Sequence, residues 1–100
     1  MRESVIEAHL VKRVKELGGE CRKVTWQGRK GAPDRLVMLP AMTDFSAPVV
    51  YHYARTIWFE LKAPGEKAKP HQTRQHDRMR AMGQRVVVID SIEGVEEMLS

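Results

Sequence analysis

Residues 56–90 leave this chain few ways to fold. Thr56, Ile57, Trp58, Phe59, Glu60, Leu61 and Lys62 make a largely apolar run with the β-branched and aromatic character of a strand. A polar loop with Pro64 and Gly65 follows. Residues 70–82 then read as a helix, with Pro70 in its first turn and Gly83 as its stop. Residues 85–90 hold Val86, Val87, Val88 and Ile89, a short buried strand. A strand, a helix and a second strand in that order imply a right-handed parallel crossover. The expected class is α/β, a sheet flanked by helices.

The flanking segments fit that frame. Residues 4–17 read as an amphipathic helix, because Ile6, Leu10, Val14 and Leu17 fall on one face. Ser4 is the expected N-cap, and Gly18 and Gly19 the stop. Residues 21–26 alternate loosely as a strand, 27–33 form a basic glycine-rich loop, and 34–39 form an apolar strand. Residues 40–47 are expected as a loop. Residues 49–53 and 56–62 are expected to pair as a hairpin through residues 52–55. Ser91 should cap a last helix ending at Leu99.

One hundred residues, 42% of them hydrophobic, support one domain over residues 1–100 with a modest core. That size excludes a multi-lobed enzyme and a domain holding a bulky dinucleotide, so no organic cofactor is expected. A lone cysteine, Cys21, makes neither an internal disulfide nor a zinc cage, which points to a reducing compartment. No apolar stretch is long enough for a membrane span, no signal core is evident, and neither a repeat nor a low-complexity tract is visible. A cytoplasmic setting follows, with no membrane partner.

The formal net charge of +4 is unevenly spread. Residues 22–35 carry Arg22, Lys23, Arg29, Lys30 and Arg35 against Asp34, and residues 60–85 hold a second basic excess. Glu93, Glu96 and Glu97 make the tail acidic. A single basic segment is ordinarily a solvated face. Two of them, each placing a carboxylate beside a base, point to a polyanion site.

Side chains alternate along a strand, so Glu60 and Lys62 point one way and Phe59 and Leu61 the other. An isolated acid–base pair of this kind is most often a surface pair. Here Ile57, Trp58 and Phe59 imply burial on both sides, where a charged pair is costly without a ligand. Asp34, behind Pro33 and ahead of Arg35, puts a second carboxylate at the start of another apolar strand. Taken alone it would be a turn residue or cap. Two carboxylates from adjacent strands suit a hard divalent cation, and a neighbouring lysine suits a water or a phosphate.

This ordered set resembles the PD-(D/E)xK nuclease superfamily and, more narrowly, stand-alone VRR-NUC domains of phages and bacteria. The matching residues are Glu7 in the opening helix, the run from Gly28 to Arg35, the run from Phe59 to Gly65, Gln72, and Gly83 ahead of the last strand. Residues 40–55, with His52 and Tyr53, look longer than a tight hairpin and depart from the pattern. The resemblance implies a restriction-endonuclease-like core, a mixed sheet of four to five strands flanked by helices. It further implies that Asp34, Glu60 and the main-chain carbonyl of Leu61 bind Mg²⁺ or Mn²⁺. Lys62 would serve the attacking water, Glu7 would lie near the metal, and Gln72 would be the motif glutamine. The implied activity is endonucleolytic hydrolysis of DNA by a homodimer, on branched DNA such as four-way junctions, within a bacterial or phage-infected cell.

Two roles are open to Glu7: it falls inside the apolar arc of its helix, and it also sits where a capping box would reach back to Ser4. Gln72 and Gln75 share a face with Met79 and Met82, the side expected on the sheet. Arg29, Lys30 and Arg35, with Lys67, Lys69 and Arg74, would make a phosphate-binding rim. His9, His71 and His76 read as helix-surface residues, and Trp26 and Trp58 as core or dimer contacts. A non-catalytic nucleic-acid-binding module using the same rim is the rival reading. A small α/β regulator is a third, and it leaves Asp34, Glu60 and Lys62 unexplained.

Overall fold

A computed structural model describes residues 1–46 and 51–100. The elements run α1 (Glu3–Glu16), β1 (Glu20–Lys23), β2 (Arg35–Asp44), β3 (Tyr51–Leu61), α2 (Pro70–Ala81), β4 (Val86–Ile89) and α3 (Ile92–Leu99). The four strands form one sheet in the order β1-β2-β3-β4. β1 and β3 each run antiparallel to β2, while β4 pairs parallel with β3 through α2. The crossover expected from residues 56–90 is therefore present, and the sheet is mixed.

Alternation along β3 divides the molecule. Ile57, Phe59 and Leu61 face a core built with Ile6, Leu10 and Val14 of α1, Val37 and Leu39 of β2, Ile89 of β4, and Val95 and Leu99 of α3. Phe59 is fully buried there. Burying a side chain of this kind contributes about 1.5–3 kcal/mol. Trp58, Glu60 and Lys62 take the opposite side of the strand, where α2 lies with Met79 and His76 buried. No residue of α2 belongs to the main core cluster.

Several boundaries differ from the sequence expectation. α1 begins at Glu3 with Arg2 as N-cap, so Ser4 lies inside the helix and does not cap it. Its end is as expected: Gly18 adopts φ +82°, and the Gly19 amide returns to the Val14 carbonyl at 2.9 Å. The strand expected at 21–26 is shorter and starts one residue earlier. Residues 40–44 belong to β2 instead of a loop, with a register shift between Leu39 and Met42. That irregularity is where a strand tolerates Pro40, which has no amide to donate. The two expected strands at 49–53 and 56–62 merge into β3, and their hairpin through 52–55 does not form, because residues on both sides of it, from 51 to 59, pair with β2 across the register shift. Residues 47–50 lie outside the described set. Ser91 caps α3 as expected, its hydroxyl accepting from the Gly94 amide at 2.9 Å.

Candidate active site

The β2–β3 register fixes the carboxylates. Arg35, the first residue of β2, pairs with Phe59, so Asp34 just ahead of β2 and Glu60 just after Phe59 come to the same end of the two strands. The backbone of Asp34 is tied on the other side, where its carbonyl accepts from the Val24 amide at 2.8 Å. Just before it, Pro33 is fully buried, and its carbonyl accepts from the Trp26 indole N–H at 2.7 Å. The glycine-rich loop reaches α2 at Gly31, which adopts φ +94°. A Cβ at Gly31 would stand 2.8 Å from His71 Cδ2 and 3.2 Å from Gln72 Cα. Only glycine lets this loop lie against the first turn of α2.

Glu60 is largely enclosed, with its side chain 13% exposed. Burial pushes its carboxyl up to about 7; Lys62 opposes that rise, and the charges of Asp34 and then Glu3 add to it. Asp34 and Glu60 therefore feel one another as like charges. Lys62 stands on the same face and donates from Nζ to Gln72 Oε1 at 2.8 Å. That same oxygen accepts the Lys69 amide at 2.9 Å, closing the first turn of α2. Gln72 thus joins the lysine to the helix start. Below it in α2, His76 is 1% exposed, and its Nε2 lies 3.5 Å from Glu60 Oε1 without forming a hydrogen bond. Burial, then Arg80, lowers the His76 pKa, with Lys62 adding to the effect and Asp77 opposing it.

His76 is the residue that sequence reasoning missed. It was expected on the helix surface and is instead the buried polar group of this face. The signal was available: His76 follows Gln72 by four residues and precedes Met79 by three, which is one helical stripe. Met82, expected on that stripe, is 73% exposed. His9 also differs from expectation. It is not simply solvated, because its Nε2 lies 3.1 Å from Glu96 Oε1 across α1 and α3.

Asp34, Glu60, Lys62 and Gln72 are brought together by this arrangement, and Glu7 is tied to Arg35, the residue after Asp34. The carboxylate of Glu7 pairs with the Arg35 guanidinium, on the α1 side of the sheet. It does not reach back to Ser4. Arg35, only 14% exposed in its side chain, is accordingly occupied by Glu7. Arg29, Lys30, Lys67, Lys69 and Arg74 are exposed around the loop, the segment after β3 and the start of α2. The loop after β3 is held where the Gly65 amide donates to Asp90 Oδ2 at 3.1 Å.

The donor set fits a hard divalent cation. Two carboxylates, one of them desolvated and pushed toward its neutral form, meet at one end of adjacent strands with a lysine alongside. Among the described residues, no three His, Cys, Asp or Glu side chains converge into a closed cage. Two side-chain carboxylates supplemented by a main-chain carbonyl, as at Leu61, are an open set of the kind hard cations accept. A larger groove of about 630 Å³ lies elsewhere, beside Leu39, Met42, Arg55 and Met98. It contains neither carboxylate. Among the described residues, no helix is long and apolar enough to cross a membrane.

No family model matches the sequence. The chain is 44% identical over 91 residues to the "Putative nuclease p44" of Acyrthosiphon pisum secondary endosymbiont phage 1, covering 91% of this chain and 85% of that protein. A solved VRR_NUC domain superimposes with a TM-score of 0.72 at 33% identity, over 97% of this chain and 92% of that one. With the shared sheet, the shared sequence and the carboxylate–lysine cluster in place, the chain belongs to the VRR-NUC nuclease family.

Proposed function

We propose that this nuclease is a Mg²⁺- or Mn²⁺-dependent endonuclease that hydrolyses DNA phosphodiester bonds, acting as one domain over residues 1–100 in the cytoplasm. The observation that carries the reading is the meeting of Asp34 and Glu60 at one end of β2 and β3, with Lys62, on the same face as Glu60, held by Gln72. Asp34, Glu60 and the Leu61 carbonyl would hold the cation, which supplies Lewis-acid polarisation of phosphate and a more acidic water. Gln72 fixes the direction of the Lys62 ammonium. Lys62 orients the attacking water and offsets charge growing on the phosphate. The Glu7–Arg35 pair makes Glu7 a positioning residue: it ties α1 to β2 one residue from Asp34. Arg29, Lys30, Lys67, Lys69 and Arg74 supply phosphate contacts from the exposed rim.

A chain of this size has little surface for grasping a duplex. That favours a homodimer working on branched DNA, whose paired sites would suit paired nicks. Cleavage of linear, flapped and four-way DNA with Mg²⁺ or Mn²⁺ tests the reading. Lys62→Ala and Asp34→Ala should each lower cleavage by about a hundredfold or more while binding in EDTA stays within about twofold. Unchanged cleavage in both variants would refute the assignment. Binding without metal-dependent cleavage by the wild type would favour the non-catalytic module. A monomer by sedimentation at assay concentration would remove the dimer.

A further inference from the structure

We propose that the cleft formed by Trp26, Trp58 and α2 receives one unstacked nucleobase of the DNA strand beside the scissile phosphate. The proposal rests on the nuclease reading above and assigns a substrate feature to the same site. The cleft has a volume of about 270 Å³ and is lined by Trp26, Trp58, Met79 and Met82, with Arg29, Gln75 and Arg78 among its polar residues. That is ample room for a single base.

The cleft adjoins the carboxylates along two elements. Trp58 precedes Glu60 by two residues on the same side of β3, about 7 Å along the strand. Gln75 follows Gln72 by one helical turn in α2. The loop supplies a third link, because the Trp26 indole N–H is bonded to the carbonyl of Pro33, the residue before Asp34. A nucleotide seated here would place its neighbouring phosphates near Asp34, Glu60 and Lys62.

The chemistry of the walls selects the occupant. The Trp58 indole N–H donates to Gln84 Oε1 at 3.2 Å, so both tryptophans spend their polar edge on protein partners. What they offer outward is ring face. Their centroids are 5.2 Å apart with planes tilted by 44°, too close to admit a base between them. A base therefore stacks on an outer face, and Trp26, 36% exposed, has the more open one. No hydrogen bond or ion pair engages the side chains of Arg29, Gln75 or Arg78 among the described residues. Two cations beside aromatic faces suit a base with its flanking phosphates. Every base has a π-face, so this contact reads the unpaired state and not the sequence. A base within a duplex must first leave its stack, whereas one at a flap, bulge or branch enters without that cost.

The test is binding in EDTA, by fluorescence anisotropy, to two labelled duplexes differing only by one unpaired nucleotide. Wild type should prefer the interrupted duplex by about tenfold, the scale of one base–aromatic stack. Trp26→Ala removes the more open ring face, at a residue 36% exposed, and should bring that ratio to about one. Gln75→Ala should reduce the ratio part way, and it keeps the test decisive if Trp26→Ala fails to fold by circular dichroism. A wild-type ratio near one, or a ratio unchanged in both variants, overturns the proposal. A variant that changes sedimentation but leaves the ratio intact gives the cleft to a second copy of the chain, which also overturns it. Cleavage run in parallel separates the two readings. A wild type that cleaves without preferring the unpaired base refutes the cleft alone, whereas one that cleaves no DNA with either metal refutes the nuclease reading beneath it.

Discussion

Replacing Glu60 with glutamine should make the metal-free protein more stable. The carboxyl is pushed from an ordinary 4.5 to about 7 by burial, with Asp34 and Glu3 adding to the effect. A folded-state value above the unfolded one means that the folded chain holds an extra proton between those limits. The wild type therefore loses stability as pH climbs from about 4.5 to about 7 and stays at that lower level above. Each unit corresponds to about 1.36 kcal/mol, so the full cost at pH 8 is on the order of 3 kcal/mol. The amide of Glu60→Gln carries no charge to desolvate, and it can donate toward the unpaired His76 Nε2 that lies 3.5 Å from the carboxylate. For a domain of this size, that stabilisation corresponds to a rise in Tm of roughly 10–20 °C. The assay is thermal unfolding by circular dichroism in EDTA at pH 8 and pH 4, wild type beside Glu60→Gln. The gap should be wide at pH 8 and nearly closed at pH 4, where both states of the wild type are protonated. Millimolar Mg²⁺ at pH 8 should raise the wild-type Tm and leave the variant nearly still. The reasoning fails if Glu60→Gln melts below wild type at pH 8, or if the gap is the same at both pH values.

Other perturbations test the parts that hold the site. Gly31→Ala forces an L side chain to φ +94° and drives its Cβ against His71 and the Gln72 backbone; unfolding should be easier by about 1–3 kcal/mol, and cleavage should fall with the displaced Gln72. Ser91→Ala removes the cap on the Gly94 amide and should cost about 1 kcal/mol in a thermal melt while cleavage is unchanged. Glu96 is held below its usual pKa chiefly by the hydrogen bond from Arg13 at 2.8 Å. Its contribution is present above the ordinary carboxylate value and is lost as pH falls through the lowered one. Glu96→Gln should accordingly melt below wild type at pH 7, with the difference shrinking in acid.

The sequence disclosed this fold where local pattern and tertiary demand coincide. In β3, alternation put Phe59 and Leu61 in the core and Glu60 and Lys62 opposite, because one strand with two covered faces has no other solution. The crossover through α2 and the Ser91 cap followed from equally local signals. The misreadings fall where long-range pairing overrides local preference. Pro40 looked like a loop residue, yet β2 runs past it by shifting register against β3. Ser4 and Glu7 spell a capping box, yet the helix starts earlier and Arg35, distant in sequence, takes the Glu7 carboxylate. His76 shared a visible stripe with Gln72 and Met79, but the extent of its burial depends on the depth at which α2 sits against the sheet.

One peptide bond joins Phe59 to Glu60, and the two residues serve opposite faces of β3. The core that includes Phe59 is complete without α2, while the carboxylate, the lysine anchor and the buried histidine depend on it. Persistence of the fold and competence for reaction are therefore stored in different halves of the molecule. A lineage of such chains can revise the α2 side to suit a new substrate without disturbing the main core. Changes on the α1 and α3 side are screened by stability before any chemistry is attempted.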